Sequence, residues 1–178
     1  RDNPDFFKNL PTTPTPQFLF IFCSDCQQSA AQITRSEPGT LFVHRNVANL
    51  ISPHDVNMLS LLQYSVDILN IPHIVVCGHY ACSGVDAALD DKLVGLIENW
   101  VWPIKAMVKA HLAELRAITD PVAQKRRITE LHVLNQVANL QKIESVQRSL
   151  QKWKIPCNYT DVFDHETGLV NGVSKDIS

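Results

Sequence analysis

The run His73-Ile74-Val75-Val76-Cys77-Gly78-His79-Tyr80-Ala81-Cys82-Ser83-Gly84 constrains this chain more than any other stretch. Ile74 to Cys77 read as a buried strand that Gly78 breaks, and His79 and Cys82 follow at once in the spacing H-x-x-C. Upstream, Phe18-Leu19-Phe20-Ile21-Phe22 reads as a second buried strand, and it too ends on ligand-type residues, Cys23-Ser24-Asp25-Cys26. Adjacent strands of an open parallel sheet deliver their carboxyl ends to one edge, so Cys23, His79 and Cys82 are expected to close on a single metal ion. Two thiolates and one imidazole, with the fourth position open, make a catalytic zinc set.

Taken in order, the rest of the chain supplies the frame for such an edge. Strand one runs from Gln17 to Cys23, Ala30 to Ile33 makes a helical turn, and Glu37-Pro38-Gly39 turns the chain into strand two, Thr40 to Val43. His44-Arg45-Asn46 then reaches the same edge as Cys23. Ser52 and Pro53 read as the cap and first residue of a helix with apolar positions at Val56, Leu59, Leu62, Val66 and Leu69, buried or at a subunit interface. Ser83 reads as the cap of a helix through Val85, Ala88 and Leu89, whose positive end favours a Cys82 thiolate. Ile97 to Leu115 carry one long amphipathic pattern, with His111, Trp100 and Trp102 as helix-filling residues without chemistry. Asp120-Pro121 restarts a helix whose apolar face runs from Ile128 to Leu150. A last strand, Ile155 to Phe163, leads into an Asp164-His165-Glu166-Thr167-Gly168 turn. Strands alternating with helices predict a single α/β domain over residues 17–178, with a central, mainly parallel sheet flanked by helices. Residues 1–16 are a proline-rich arm whose Phe6 and Phe7 are expected to pack on the body or on a partner subunit.

Composition removes several function classes. A chain of 178 residues with 45% hydrophobic content suits one domain. The net charge of -2 and the absence of a basic run longer than Lys125-Arg126-Arg127 argue against a nucleic-acid partner. No run approaches the roughly 18 to 20 apolar residues of a membrane span. The five cysteines are an odd number, and at least three lie at strand ends, which fits metal ligation in a reducing compartment better than a disulfide framework. A cytoplasmic location is expected, or a mitochondrial or other organellar one if an upstream targeting segment has been removed. Cys77 and Cys157 read as small buried hydrophobes.

From the residues alone, two states of the centre stay open. In the catalytic one, water takes the fourth position and Asp25 accepts a hydrogen bond from it; in the structural one, Asp25 or Cys26 closes that position and no substrate enters. The ordered series Cys23-x-Asp25, Glu37-Pro38-Gly39, Leu41-Phe42-Val43-His44-Arg45-Asn46 and Cys77-Gly78-His79-Tyr80 with Cys82 resembles the β-class carbonic anhydrases, over nearly the whole chain from Asp5-Phe6-Phe7 to Gly168-Leu169. The resemblance implies zinc on Cys23, His79 and Cys82, with Asp25 as partner of the metal-held water. It further implies reversible hydration of carbon dioxide to bicarbonate by zinc-held hydroxide, and a homodimer or higher assembly with exchanged N-terminal elements. His44 and Tyr64 are candidates for exporting the proton.

The chain departs from the family pattern at several positions. Gln27 stands where the pattern has arginine, and Cys26 where it usually has serine. Without the arginine fork, Asp25 is expected to reach the metal as a fourth ligand, with reduced activity. Phe20 and Phe22 stand where the family more often has other residues, and Phe22 is expected to narrow the pocket beside Cys23. A bicarbonate site known in some members maps to Phe20, Arg45 and Tyr64, of which Arg45 and Tyr64 persist. Competing readings are a catalytically silent zinc protein with closed coordination, and a hydrolase of the same family acting on carbonyl sulfide or carbon disulfide.

Overall fold

Phe18–Cys23 (β1) is apolar throughout, and residues 19–23 are buried, as befits a strand with neighbours on both sides and layers on both faces. It pairs in parallel with Leu41–Asn46 (β2) on one side and His73–His79 (β3) on the other. Beyond β3 lies Cys157–Asp164 (β4), also parallel, and Leu169–Gly172 (β5) closes the sheet antiparallel to β4, giving the order β2-β1-β3-β4-β5. The structure, a computed structural model, describes residues 15–153 and 157–173 together with positions 5 and 8. The arm residues Phe6 and Phe7, and the start of the last strand expected at Ile155, lie outside the described residues. So does the side chain of Cys157.

Seven helices join these strands among the described residues: Ala30–Thr34 (α1), Val56–Gln63 (α2), Ser83–Ala87 (α3), Leu96–Ala110 (α4), Leu112–Ala117 (α5), Pro121–Leu140 (α6) and Glu144–Trp153 (α7). Leu19, Ile21, Ile74, Val76 and Val162 pack one sheet face against Met58 and Leu62 of α2, Val133 and Leu140 of α6 and Val146 of α7. Farther along that face, Cys23, Ala48 and Cys82 join Val101, Ile104 and Met107 of α4, Leu115 of α5, and Ile128 and Leu131 of α6. Phe20, Phe22, Val75, Cys77 and Phe163 line the other face, where α1 contributes Ala30. No helix among the described residues is long and apolar enough to cross a membrane.

Several boundaries differ from the sequence expectation, each for a local reason. Strand two continues through His44-Arg45-Asn46, because β1 pairs with it as far as Asn46. The α2 cap is Asp55, whose carboxylate accepts from the N–H groups of Asn57 and Met58, while Ser52 Oγ takes only the His54 N–H. The helical period after Gln63 is carried by a π turn, Tyr64–Ile68, which turns Ile68 outward. The amphipathic run from Ile97 to Leu115 is two helices. At the break, the His111 ring nitrogen Nδ1 lies 3.0 Å from the Met107 carbonyl and the His111 backbone leaves the helical region. Asp164 to Gly168 is the bend of a β4–β5 hairpin, and Gly168 takes a positive φ of 70° there. The α6 start at Asp120-Pro121 is as expected, with Asp120 accepting from Val122 N–H and Ala123 N–H.

Candidate metal centre

The register of the sheet explains why the ligand-type residues meet. Phe22 pairs with Cys77 and Cys23 with Asn46, so the loop after β1 and the last residues of β3 emerge side by side at the carboxyl edge. There, Cys23 Sγ lies 3.5 Å from Cys82 Sγ, and Asp25 Oδ1 is 2.7 Å from Cys23 Sγ, 2.6 Å from His79 Nε2 and 3.7 Å from Cys82 Sγ. One donor atom from each of Cys23, Asp25, His79 and Cys82 falls within 4.8 Å of the other three. Cys26 is not in this four-residue group; its sulfur lies 3.9 Å from His165 Nε2 and within 4.8 Å of a His79 ring nitrogen.

The backbone holds the cluster from several sides. The Ala48 N–H donates to Cys23 Sγ at 3.1 Å, in a turn where Ala48 adopts a left-handed φ of 62°. That turn is pinned from below by His132, whose Nε2 sits 2.7 Å from the Ala48 carbonyl oxygen. The Arg45 guanidinium donates to the carbonyls of Cys23 (2.8 Å), Ser24 (3.3 Å) and Cys26, and lies 5.5 Å from the Phe22 ring centre. Asp25 is anchored at its other oxygen, which accepts from the Ser83 backbone N–H at 2.8 Å and from the Ser83 hydroxyl. Ser83 is thus the first residue of α3 rather than its cap, and its hydroxyl serves Asp25. Gln27, in contrast, is exposed.

These contacts share protons among lone pairs. Hydrogen bonding from Cys82 brings the Cys23 thiol down to about 5, and the same contact pushes Cys82 well up. Burial pushes the Asp25 carboxyl up, but hydrogen bonds from Cys23 and Ser83 outweigh it and hold Asp25 below the usual carboxylate range. Burial lowers His79, yet its bond to Cys23 and the Asp25 charge leave it raised overall. Two sulfurs, an imidazole nitrogen and a carboxylate oxygen whose protons bridge one another form a donor set that a divalent cation satisfies by displacing those protons. The set fits zinc: soft and borderline donors, a half-exposed mouth at Asp25, and a backbone N–H on one thiolate.

Other expected site residues fall elsewhere. Arg45 and Tyr64 do not share a site, because they stand on opposite faces of the sheet. Arg45 lies over Phe22, and Tyr64 packs beside Phe42, its ring centre 6.1 Å away. Arg45 spends its donors on main-chain carbonyls, and Phe20 is buried, so the three-residue bicarbonate site is not assembled. Phe22 points to the face opposite Cys23 and stands edge-to-face with the His79 ring, centres 6.0 Å apart, so it backs that imidazole instead of narrowing the approach to Cys23. His44 hydrogen-bonds at 3.4 Å to Asn46, and burial pushes its pKa down. The sequence reading missed Ser83, the Ala48 N–H, and His165, whose Nε2 is 3.0 Å from His79 Nδ1. Only Ser83 carried a local signal, its place directly after Cys82.

Known proteins resemble the chain over most of its length. Residues 18–170 match the family model described as carbonic anhydrase. A carbonic anhydrase of Emericella nidulans is 36% identical over 98% of this chain and 76% of its own length; one of Candida albicans is 32% identical over 89% of this chain, which spans 57% of that relative. A tetrameric β-carbonic anhydrase of Sordaria macrospora superposes with a TM-score of 0.90 at 34% identity, covering 97% of this chain and 88% of the other.

Proposed function

Since the chain belongs to the β-carbonic anhydrase family, we propose that it is a zinc-dependent enzyme that hydrates carbon dioxide reversibly to bicarbonate, with Cys23, His79 and Cys82 as the metal ligands. The observation that carries this reading is the convergence of those three side chains, with Asp25, within 4.8 Å at the carboxyl edge of the sheet. When bound there, zinc supplies a nucleophile from water at neutral pH. Cys23 and Cys82 give two sulfur donors, and the Ala48 N–H stabilises the Cys23 thiolate. Asp25, kept ionised by its hydrogen bonds, is an acceptor-only group able to take the hydrogen of an incoming water and fix its lone pair. Ser83 sets the direction of that carboxylate by holding its second oxygen.

One observation favours a resting form with the fourth position closed. Asp25 Oδ1 already sits among the ligand atoms, and its anchor is Ser83, with Gln27 exposed where the family arginine is missing. Turnover in this reading is reduced and requires Asp25 to give way to solvent. Four free thiols among the described residues, Cys23, Cys26, Cys77 and Cys82, support a reducing compartment as part of the same proposal.

Stopped-flow carbon dioxide hydration by the zinc-loaded protein, from neutral to alkaline pH, tests the reading. Hydration is expected, lost together with zinc in Cys82→Ser and raised in Gln27→Arg, whose guanidinium competes for Asp25. A fully zinc-loaded protein that hydrates no carbon dioxide at any pH, with Gln27→Arg equally silent, overturns it in favour of a structural zinc site. Turnover of carbonyl sulfide in place of carbon dioxide would reassign the substrate.

A further inference from the structure

Beside His79, two further side chains of metal-ligand type face each other. Cys26 Sγ, in a residue only 3% exposed, lies 3.9 Å from His165 Nε2. With a zinc–sulfur bond of about 2.3 Å and a zinc–nitrogen bond of about 2.0 Å, ligands sharing one ion stand about 3.5 Å apart at the tetrahedral angle and about 4.3 Å apart when collinear. The observed separation lies between these limits. Cys26, His79 and His165 also bring one donor atom each within 4.8 Å.

We propose that Cys26 Sγ and His165 Nε2 form a second, outer metal site for a soft or borderline cation such as zinc or cadmium, separate from the Cys23–His79–Cys82 centre.

His79 decides how the two sites coexist. With its Nε2 turned to the inner cluster, its remaining ring proton sits on Nδ1, which has two neighbours: His165 Nε2 at 3.0 Å and the Tyr80 carbonyl oxygen at 3.1 Å. In the cation-bound form the Tyr80 carbonyl takes that proton, and the His165 lone pair turns to the cation. Binding costs the Cys26 thiol its proton, which leaves to solvent as the sulfur–metal bond forms.

The surroundings suit a held site rather than a chance contact. His165 is set in the β4–β5 bend, which Asp164 fixes by accepting from the Glu166 N–H at 2.9 Å and from Arg126 at 2.7 Å. The His165 ring meets the Phe163 and His79 rings edge-on, with centres 5.0 Å away in both cases. Cys26 is held by Arg45, which binds its carbonyl, and its sulfur is 3.7 Å from the Gln28 side-chain oxygen. A cleft of about 190 Å³, lined by His165, Glu166, Arg126 and Cys82, reaches His165 from solvent, so water can complete the coordination.

Cadmium(II) titration of the folded, metal-free protein tests this, with bound ions counted by native mass spectrometry and thiolate–metal bonds followed by ultraviolet absorption. Wild type is expected to take two ions, each adding a thiolate absorption step. His165→Ala, at an exposed turn residue, and Cys26→Ser are each expected to weaken the second ion tenfold or more and keep the first; Cys82→Ser is expected to weaken the first and keep the second. A wild type that saturates at one ion, or a His165→Ala protein that binds two as tightly as wild type, overturns the outer site. A Cys82→Ser protein that binds both ions as tightly as wild type instead refutes the inner ligand set, so the two proposals fail separately.

Discussion

At Asp25 one carboxylate oxygen is held twice by Ser83 while the other faces two sulfurs and an imidazole. A group that orients a metal's neighbour through hydrogen bonds typically changes metal affinity or activity by about 10- to 100-fold when it is lost. Ser83→Ala removes the hydroxyl and leaves the backbone N–H, so we expect metal affinity, measured by competition with a chelator, to fall about tenfold. Ser83→Thr keeps the hydroxyl and is expected to stay near wild type; equal affinities in all three proteins would show that the backbone N–H alone fixes Asp25. The convergence of Cys23, His79 and Cys82 was legible because each ends a strand-like run or follows one by a fixed short spacing. Ser83 was misread as a helix cap because serine before an apolar helix has the same local pattern whether its hydroxyl turns to its own backbone or to a side chain 58 positions away.

Gly78 and His132 show how α6 and β3 place the centre. A Cβ on Gly78 would stand 2.5 Å from Val133 Cγ2, closer than carbon atoms pack, and the next residue is His79. Gly78→Ala is therefore expected to cost about 1–3 kcal/mol, read from urea unfolding, and Val133→Ala in the same chain should recover part of that loss. On the same helix, His132 is fully buried; burial pushes its pKa down to about 4, with the Ala48 carbonyl bond acting the other way. The folded chain thus keeps His132 neutral where the unfolded chain binds a proton. Its effect on stability is absent above about pH 6.5 and grows as pH falls to about 4, reaching about 3 kcal/mol. Urea midpoints measured at pH 7 and pH 4.5 should show this fall, and His132→Gln should shrink it; an unchanged difference would remove His132 as the cause. The helical and strand periods of both elements were readable in the sequence. The close approach of α6 to β3 was not, because only a three-dimensional contact distinguishes a strand-breaking glycine from one that makes room for a valine. The β4–β5 hairpin escaped for a related reason: Leu169–Gly172 is four exposed residues long, too short to carry a period.

Across the molecule, the alternation of strands and helices announced a parallel α/β sheet, and the order β2-β1-β3-β4-β5 delivers β1 and β3 side by side as that reading required. Which surfaces meet other subunits lay beyond pattern, since an apolar residue facing a partner and one facing the core look alike in sequence. An open groove of about 1230 Å³ is lined by Val56, Leu96, Ile97, Trp100 and Trp102, and Leu96 and Trp102 are 88% and 61% exposed. Apolar surface of this kind on one side of a domain commonly marks an assembly contact. We expect Trp102→Glu to shift the mass measured by light scattering toward a smaller species, and a mass equal to wild type would exclude this groove as a subunit contact. At the carboxyl edge of the sheet, one guanidinium gathers three loop carbonyls around the place where the cysteines emerge. That brace reaches from β2 to the loop beyond β1, so the spacing of Cys23, Asp25 and Cys26 depends on a side chain lent by a neighbouring strand.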